Sequence, residues 1–467
     1  MKTLVERIGV ALVSYGSREV ALADALLSSE KYKVELYIAD RLRNVYNTKH
    51  AKEHVVIPSL DNKEITAFFK KHRKEIDFGI VGPEDPIIHG IRDDVEKETG
   101  ITLICPTKEY ALERSKIAQR LLLKNLLPEV NPRFKVFDPK DFQNQDDVAN
   151  AVWKWLDELD NRGVVKPDGA ARGKGVGVWG DHFTTRNALF EHFMSNFQFG
   201  PTIIEEKLDG EESSFLALCD GQHLVRLPET RDNKRAFNGD KGPNTGGMGS
   251  YKDVGDWLPF MTRQDYEREG QVVKKLFEHL RGKTRNTGLL GIPFYVAMMH
   301  TAEGVKVLEI NSRPGDPEIL NILPILKDDF VDVCYSILDG KLTRVELEPE
   351  ATVVTYKVPP TYGGKEKEYF GNRHVDLSGV DTLSGKFKGH LKVYPGSLEL
   401  RGNEVYALSS RAVCTVGIGD SIEEARTISL EGLDAIKGGN LWNRTDIASI
   451  KQIDGSIKHM RSLRVAG

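Results

Sequence analysis

From Ile8 to about Ile104, short apolar runs alternate with helical patterns, and this alternation limits the chain's architecture more than any other feature. Ile8–Ser14, Val34–Asp40, Val55–Pro58, Phe78–Gly82 and Ile101–Cys105 read as strands, with helices near Arg18–Ser28, Asn62–Glu75 and Ile87–Thr99. Strands separated by helices imply a doubly wound parallel sheet with both faces covered. Ligands of such sheets bind beyond the carboxyl ends of the strands. Two loops fall there, Ser14-Tyr-Gly-Ser-Arg-Glu19 and Gly82-Pro-Glu-Asp85. The first is not G-x-G-x-x-G, so a small anion at the following helix N-terminus is a more economical expectation than a dinucleotide. Taken alone, each loop reads as a structural turn.

At 467 residues the chain exceeds one compact core, and domain-size scaling suggests about three units. A formal net charge of −4 with 29% charged residues marks neither a nucleic-acid partner nor a membrane surface. The four cysteines are far apart with no C-x-x-C pair, so no disulfide framework or zinc site is expected. The apolar run before Gly16 is too short for a secretory signal, and no later run reaches about 20 apolar residues. A cytoplasmic protein is the expectation.

Further along, a helix is expected from Tyr110 to about Leu122, with Pro128 and Pro132 marking a boundary. Strand Phe134–Phe137, helix Gln145–Leu159 and strand Gly163–Lys166 follow, and then Lys166-Pro-Asp-Gly-Ala-Ala-Arg-Gly-Lys-Gly-Val176. Its glycines let backbone N–H groups approach phosphates and its lysines add charge, which suits a lid, although a solvated basic turn explains it equally well. Strand Thr202–Glu206 opens an acidic run through Ser213, and strand Ser214–Asp220 follows. The polar, glycine-rich stretch Thr230–Gly249 reads as a binding loop. A helix from Gln264 to Leu280, strands Gly291–Met299 and Val305–Asn311, and a helix Leu320–Leu338 complete this unit. Ala351–Val358, Gly385–Lys392, Asn403–Ser409 and Ala412–Gly419 are strand-like, with a helix at Ser421–Ile436, suggesting a small C-terminal α+β domain.

Within Val307-Leu-Glu-Ile-Asn-Ser-Arg-Pro-Gly-Asp-Pro-Glu318, strand periodicity turns Glu309, Asn311 and Arg313 one way and Leu308 and Ile310 into a core. Hard oxygens from Glu309 and Asn311 suit Mg²⁺, and Arg313 could grip an anion in bidentate fashion.

With these stretches in order, the chain resembles the glycinamide ribonucleotide synthetases (phosphoribosylamine-glycine ligases), ATP-grasp enzymes of purine biosynthesis. The resemblance rests on Gly16-Ser-Arg-Glu19, Gly82-Pro-Glu84, Glu113-Arg-Ser-Lys116, Val165-Lys-Pro-Asp-Gly169 and Gly173-Lys-Gly-Val176. It continues through Ile204-Glu-Glu206, Gly210-Glu-Glu-Ser213, Asn233-Lys-Arg235, Gly239-Asp-Lys-Gly-Pro-Asn-Thr-Gly-Gly-Met-Gly249 and Val307–Asn311, then Arg313 and Gly315-Asp-Pro-Glu318. It implies an N-terminal substrate domain (1–112), a two-part ATP-grasp unit (113–345, lid subdomain about 133–207) and a C-terminal domain (346–467). It implies ATP phosphates on Lys116 and Lys166 under a 168–176 lid with Gly173, Lys174 and Gly175, and adenine at a Glu205, Glu206 to Leu208 hinge. Ribose falls to Glu212, and Mg²⁺ or Mn²⁺ to Glu309 and Asn311. Gly16, Ser17, Arg18 and Glu19 with Gly82, Pro83 and Glu84 would face the ribose phosphate substrate. The loop Asp240 to Gly249, with Asn244, Thr245, Gly246 and Gly247, and Arg313 and Asp316, would hold glycine and the acyl intermediate.

The implied reaction joins glycine to 5-phosphoribosylamine at the expense of ATP through glycyl phosphate, in a monomer with no nucleic-acid or membrane partner. Several positions depart from the family pattern. Val20 replaces a histidine, Asn238 an aspartate and Pro314 an aromatic residue, and Ala170 and Arg172 alter the lid. They motivate a rival reading as a related ATP-grasp ligase with another carboxylate or amine. A third reading is a non-catalytic nucleotide-binding module.

Overall fold

A computed structural model describes residues 6–169 and 175–466. In the first unit β1 (Glu6–Ser14), β2 (Tyr32–Asp40), β3 (Ala51–Val56), β4 (Phe78–Val81) and β5 (Leu103–Ile104) form a parallel sheet in the order β3–β2–β1–β4–β5. Apolar residues on both faces of β1 explain its central place: Val10 and Leu12 enter one core, and Ala11 and Val13 the other. Strand order reverses at β1, whose neighbours are β2 and β4, so the loops after β1 and β4 lie side by side at the topological switch point. A Cβ on Gly82 would sit 1.9 Å from Glu19 Oε1, so the second loop needs glycine to close on the first. The edge strand β3 lies N-terminal to the expected Val55–Pro58 because its half-exposed residues leave little periodic signal.

Two antiparallel sheets build the central unit. One has the order β6 (Phe134–Phe137), β9 (Thr202–Glu206), β7 (Gly163–Pro167), β8 (Gly177–Val178). The other has the order β11 (Leu224–Arg226), β10 (Glu211–Asp220), β16 (Leu290–Thr301), β17 (Gly304–Asn311). The expected helix from Tyr110 is instead two short 3₁₀ turns and a helix Lys116–Leu126, which begins where the Ser115 hydroxyl accepts the Ala118 N–H at 3.0 Å. The expected Leu320–Leu338 helix is likewise broken. Glu318–Asn321 and Leu323–Ile325 are 3₁₀ turns, the second containing Pro324, and a helix Phe330–Asp339 restarts at the Asp329 cap. A helix at Arg186–Phe197, buried through Leu189, Phe193 and Phe197, has no counterpart in the sequence reading.

The Thr230–Gly249 stretch is not a simple loop. It contains β12 (Arg231–Asp232), a hairpin of β13 (Arg235–Phe237) and β14 (Lys241–Asn244), and then β15 (Gly249–Lys252). The outer pair, β12 and β15, joins β18 (Ala351–Lys357) and the strands Val413–Gly419 and Leu391–Pro395 in one five-stranded sheet. The Thr230–Gly249 stretch is thereby joined to the C-terminal sheet. The expected strand Gly385–Lys392 divides into the end of a helix, Ser378–Phe387, and the start of the strand Leu391–Pro395. The tail forms a helix, Ile450–Ala466. Among the described residues no helix is long and apolar enough to cross a membrane.

Candidate active site

A β-bulge aims the acidic strand. Val307 and Ile310 occupy the same core although they are three residues apart, which an unbroken strand forbids. The ladder resolves the conflict: Met298 pairs with Val307 and Ala297 with Glu309, so Leu308 and Glu309 together face one residue of β16. Downstream of the bulge, Glu309 and Asn311 lie on the face opposite Val307 and Ile310, beside Ala297 and Tyr295. The expectation that Ile310 enters the core holds; Leu308 is only half-buried, because the bulge takes it out of the alternation.

The carbonyl freed at Leu308 is used. It accepts from Arg120 Nη2 at 2.5 Å and from Lys166 Nζ at 3.3 Å. Arg120 also grips Glu205 through two bonds of 2.6 and 3.0 Å, and Lys166 reaches Glu205 at 2.7 Å. Burial pushes the Glu205 carboxyl up, but Arg120 and Lys166 overcome this and hold it at about 2. The same burial lowers the Lys166 ammonium. This cluster joins the strands β7 and β9 to the bulge of β17. Gln119 completes the seam by pairing with the backbone N–H and carbonyl of Ile310, both at 2.9 Å.

Around Glu309 the charges are mostly positive. Burial raises its carboxyl, yet Lys116, Lys234, Lys166 and Arg313 bring the net shift below the ordinary carboxylate value. Lys116 Nζ donates to the Gly169 carbonyl at 2.7 Å, and Asp168 accepts from Ser115 Oγ at 3.0 Å and from the Ile117 N–H at 3.1 Å. Lys234 pairs with Glu212 at 2.8 Å. Glu206 through Leu208 lies at the exit of β9, between the two sheets. Gly175 accepts from Asn196 at 3.1 Å; Gly173 and Lys174 lie outside the described residues.

The two loops of the first unit meet the far end of the acidic strand. Arg313 Nε lies 3.1 Å from Glu84 and 3.4 Å from Glu113, with its guanidinium over the Tyr295 ring. Burial raises the Glu113 carboxyl against the pull of Arg313. Glu19 accepts from the Gly16 N–H at 2.8 Å and from Arg18 Nε at 2.7 Å, while Arg18 Nη1 donates to the Pro314 carbonyl at 2.9 Å. Ser17 Oγ reaches across to the Tyr394 carbonyl at 2.9 Å. Pro83 is buried beside Gly82.

The hairpin stretch divides between two neighbours. Asp240, at its exposed tip, pairs with Arg444 at 2.9 Å. Asn244 closes the hairpin opposite Arg235, and Thr245 Oγ1 donates to the Lys234 carbonyl at 2.8 Å. Arg411 donates to the carbonyls of Gly246 and Asp316 at 2.5 and 2.9 Å and pairs with the Asp316 carboxylate at 2.9 Å, which Tyr356 also donates to. Gly247 has φ +106, and Gly249, at φ +157, has the Val354 carbonyl where a Cβ would go.

Among the described residues no three His, Cys, Asp or Glu side chains gather as a metal cage. Glu309 and Asn311 therefore offer two hard oxygens, the partial set that fits a magnesium-like ion completed by water and phosphate.

Residues 8–113 match the family model described as "Phosphoribosylglycinamide synthetase, N domain", and residues 124–319 match "Phosphoribosylglycinamide synthetase, ATP-grasp (A) domain". A phosphoribosylamine–glycine ligase of Methanobrevibacter smithii is 36% identical over 97% of this chain and 99% of its own length. One from Thermococcus kodakarensis is 34% identical over 97% and 99%. The chain belongs to the phosphoribosylamine–glycine ligase family. In fold it is also like the crystal structure of a phosphoribosylamine–glycine ligase from Thermotoga maritima, with TM-score 0.72 at 22% identity over 94% of this chain and 100% of that one. A biotin carboxylase domain from Hydrogenobacter thermophilus, solved with MgADP, gives 0.64 at 14% identity over 97% and 93%.

For this phosphoribosylamine–glycine ligase family member, sequence reasoning passed over Gln119, Arg120, Glu113, Lys234 and Arg411. Glu113 and Lys234 sit in motif words and could have been singled out. Gln119 and Arg120 carried only a helical pattern, and Arg411 stood in no motif at all.

Proposed function

We propose that the cleft between the two antiparallel sheets joins glycine to 5-phosphoribosylamine at the expense of ATP, through glycyl phosphate, releasing ADP and phosphate. The observation that carries this reading is the buried carboxylate Glu309, two residues from Asn311 on the same strand face, in the field of Lys116, Lys234, Lys166 and Arg313. Several cations around one metal-type carboxylate are what a polyphosphate and a carboxylate substrate together require, since phosphoryl transfer is catalysed chiefly by positioning and charge neutralisation.

Lys116 and Lys166 would receive ATP phosphates, Glu205 to Leu208 the adenine, with the Glu205 side chain held by Arg120 and Lys166, and Glu212 the ribose. Glu309 and Asn311 would hold Mg²⁺ or Mn²⁺, which when bound neutralises charge on the phosphate oxygens. Arg313 would orient the glycine carboxylate. At the switch point the side chains of Arg18 and Glu19 are engaged with each other, so the backbone N–H groups opening the Ser17–Leu27 helix would receive the ribose phosphate. Arg411, through Gly246 and Asp316, would hold the loop that covers the acyl intermediate. The side chains Asp240 and Asn244 would act from the hairpin. No side-chain nucleophile is required.

We place this site where units 1–112, 113–345 and 346–467 meet. A monomer in the cytoplasm is the accompanying proposal, supported by four buried cysteines without disulfides; light scattering tests the monomer. The deciding experiment for the reaction is a product assay with ATP, glycine and phosphoribosylamine generated in situ. ADP release that needs both substrates, with the amide as product, is expected; ADP release that ignores glycine overturns the reading.

A further inference from the structure

The chain crosses from β9 to β10 through residues 207–210, which lie outside any strand or helix. The β9 end of this crossing is held locally: the Lys207 N–H donates to the Arg162 carbonyl at 2.6 Å, and Lys207 Nζ to the Trp179 carbonyl at 2.7 Å. The β10 end is held by an element from far along the chain. In the helix Ile450–Ala466, His459 Nδ1 lies 2.7 Å from Glu211 Oε1, and its Nε2 lies 3.3 Å from Asp209 Oδ1. Gly210, between those two carboxylates, is pressed against β16, where a Cβ would lie 1.9 Å from the His300 carbonyl oxygen.

His459 belongs to a polar stripe. Gln452, Ser456 and His459 are four and three residues apart, so they share one helix face. Gln452 donates to Asn233 at 2.6 Å, and Ser456 accepts from Arg231, which also pairs with Glu211. Met460 is buried, and Ile453, Ile457 and Leu463 pack against the same core, so apolar contacts attach the helix while the polar stripe sets which residues it grips. Burial would raise the Glu211 carboxyl, but Arg231 and the bond to His459 bring it below its ordinary value. Strand alternation then turns Glu212 to the opposite face of β10, where it pairs with Lys234 at 2.8 Å. A shift of Glu211 therefore carries Glu212 and the adjoining Leu208 with it.

Resting on the nucleotide placement proposed above, we infer that His459 is a positioning residue for the nucleotide, clamping residues 208–212 from the C-terminal helix through Glu211 and Asp209. It touches neither adenine nor ribose in this arrangement. It fixes the backbone that presents Leu208 to the one and Glu212 to the other, so nucleotide affinity depends on an element outside the two sheets that form the cleft. A hydrogen bond to a buried carboxylate is of the strong, charge-assisted kind, which suits a clamp on an otherwise irregular crossing.

The test is calorimetric titration of the full chain with MgADP, without glycine or phosphoribosylamine, for the parent, His459→Ala and His459→Asn. KM for glycine is taken separately from ADP release, and folding is followed by thermal unfolding. An asparagine amide nitrogen can take the place of the ring Nδ1 and keep the bond to Glu211, whereas alanine removes it. The expected result is a rise of about tenfold or more in Kd for MgADP in His459→Ala, the size of one lost charge-assisted hydrogen bond, with His459→Asn within about threefold of the parent. KM for glycine should stay within about threefold of the parent in both variants. A Kd for MgADP in His459→Ala within about threefold of the parent overturns the inference, as does an equal rise in Kd for MgADP and KM for glycine. An asparagine variant as weak as alanine also overturns it, since the packing of the ring and not its bond to Glu211 would then be what matters. Should His459→Ala not fold, His459→Gln, whose amide reaches the place of Nε2 and gives up Glu211, carries the same criteria. If the parent binds no MgADP, the nucleotide placement fails and the inference falls with it. A parent that binds MgADP with variants unchanged removes the clamp alone.

Discussion

At the residue scale the decisive feature is one carboxylate among several cations. Glu309→Gln keeps size and packing while removing the charge that a hard divalent ion prefers. The expected outcome is a fall in turnover of roughly 10²–10³, the range for losing one charge-stabilising contact, together with a shift of the activity optimum to higher metal concentration. Titrating Mg²⁺ against turnover checks this, and superimposable curves would remove the metal from the strand. Arg313 tests a different property. It lies between Glu84 and Glu113, so Arg313→Lys keeps a charge and loses a planar fork. A loss of roughly 10- to 100-fold in kcat/KM for glycine is expected, and a lysine variant with full activity would reduce Arg313 to a source of long-range charge.

At the scale of elements, the bulge in β17 and the Arg120–Glu205–Lys166 cluster act together. The bulge turns Glu309 away from the core and frees the Leu308 carbonyl, and the cluster uses that carbonyl to attach the sheet that holds β7 and β9. Glu205→Gln leaves two buried cations short of their counter-charge, and a loss of about 3–5 kcal/mol in unfolding free energy is expected in chemical denaturation. The acid limb separates this from a simple packing defect. Because the Glu205 carboxyl lies near 2 when folded and at an ordinary value of 4.5 otherwise, its contribution is present above about pH 4.5 and is lost as pH falls toward 2. The difference between parent and variant should therefore shrink on acidification below pH 4.5; a constant difference would point to packing. Deleting Leu308 tests the bulge itself. Restored alternation would keep Val307 and Ile310 inward and Glu309 and Asn311 outward but remove the Leu308 carbonyl that accepts from Arg120 and Lys166, so the thermal midpoint should fall while the Mg²⁺ dependence of the remaining turnover is kept.

At the scale of the whole molecule, the site depends on segments distant in sequence. Arg18 reaches Pro314, Ser17 reaches Tyr394, and Arg411 joins Gly246 to Asp316. Arg411 is the clearest probe, since it stands just before the C-terminal strand Val413–Gly419 and bonds to Gly246 and Asp316. Arg411→Ala should raise KM for glycine by about tenfold or more while leaving KM for ATP nearly unchanged, as expected for a lost charge-assisted anchor. Equal effects on both substrates would mean that Arg411 supports the general fold. The C-terminal helix also makes contact with this region, with Ser456 accepting from Arg231 at 2.6 Å and Gln452 donating to Asn233 at 2.6 Å.

Local periodicity was enough to reveal the parallel first unit, the edges of β6 and β9, and a polar acidic strand end at Glu309 and Asn311, because strand alternation is written in adjacent residues. The glycine words were legible for a similar reason: close approaches such as Gly82 against Glu19 leave no room for another residue. Periodicity did not reveal that Val307 and Ile310 share a core, because only pairing with β16 creates the bulge. Nor could it place Arg120 against Glu205 or Arg411 against Asp316. Those relations join residues tens to hundreds of positions apart, and a local pattern carries no record of which charges will be buried together. The sequence alone determined the kinds of element and the chemistry available to them, and the tertiary structure decided which side chains neutralise one another and which remain open for a ligand.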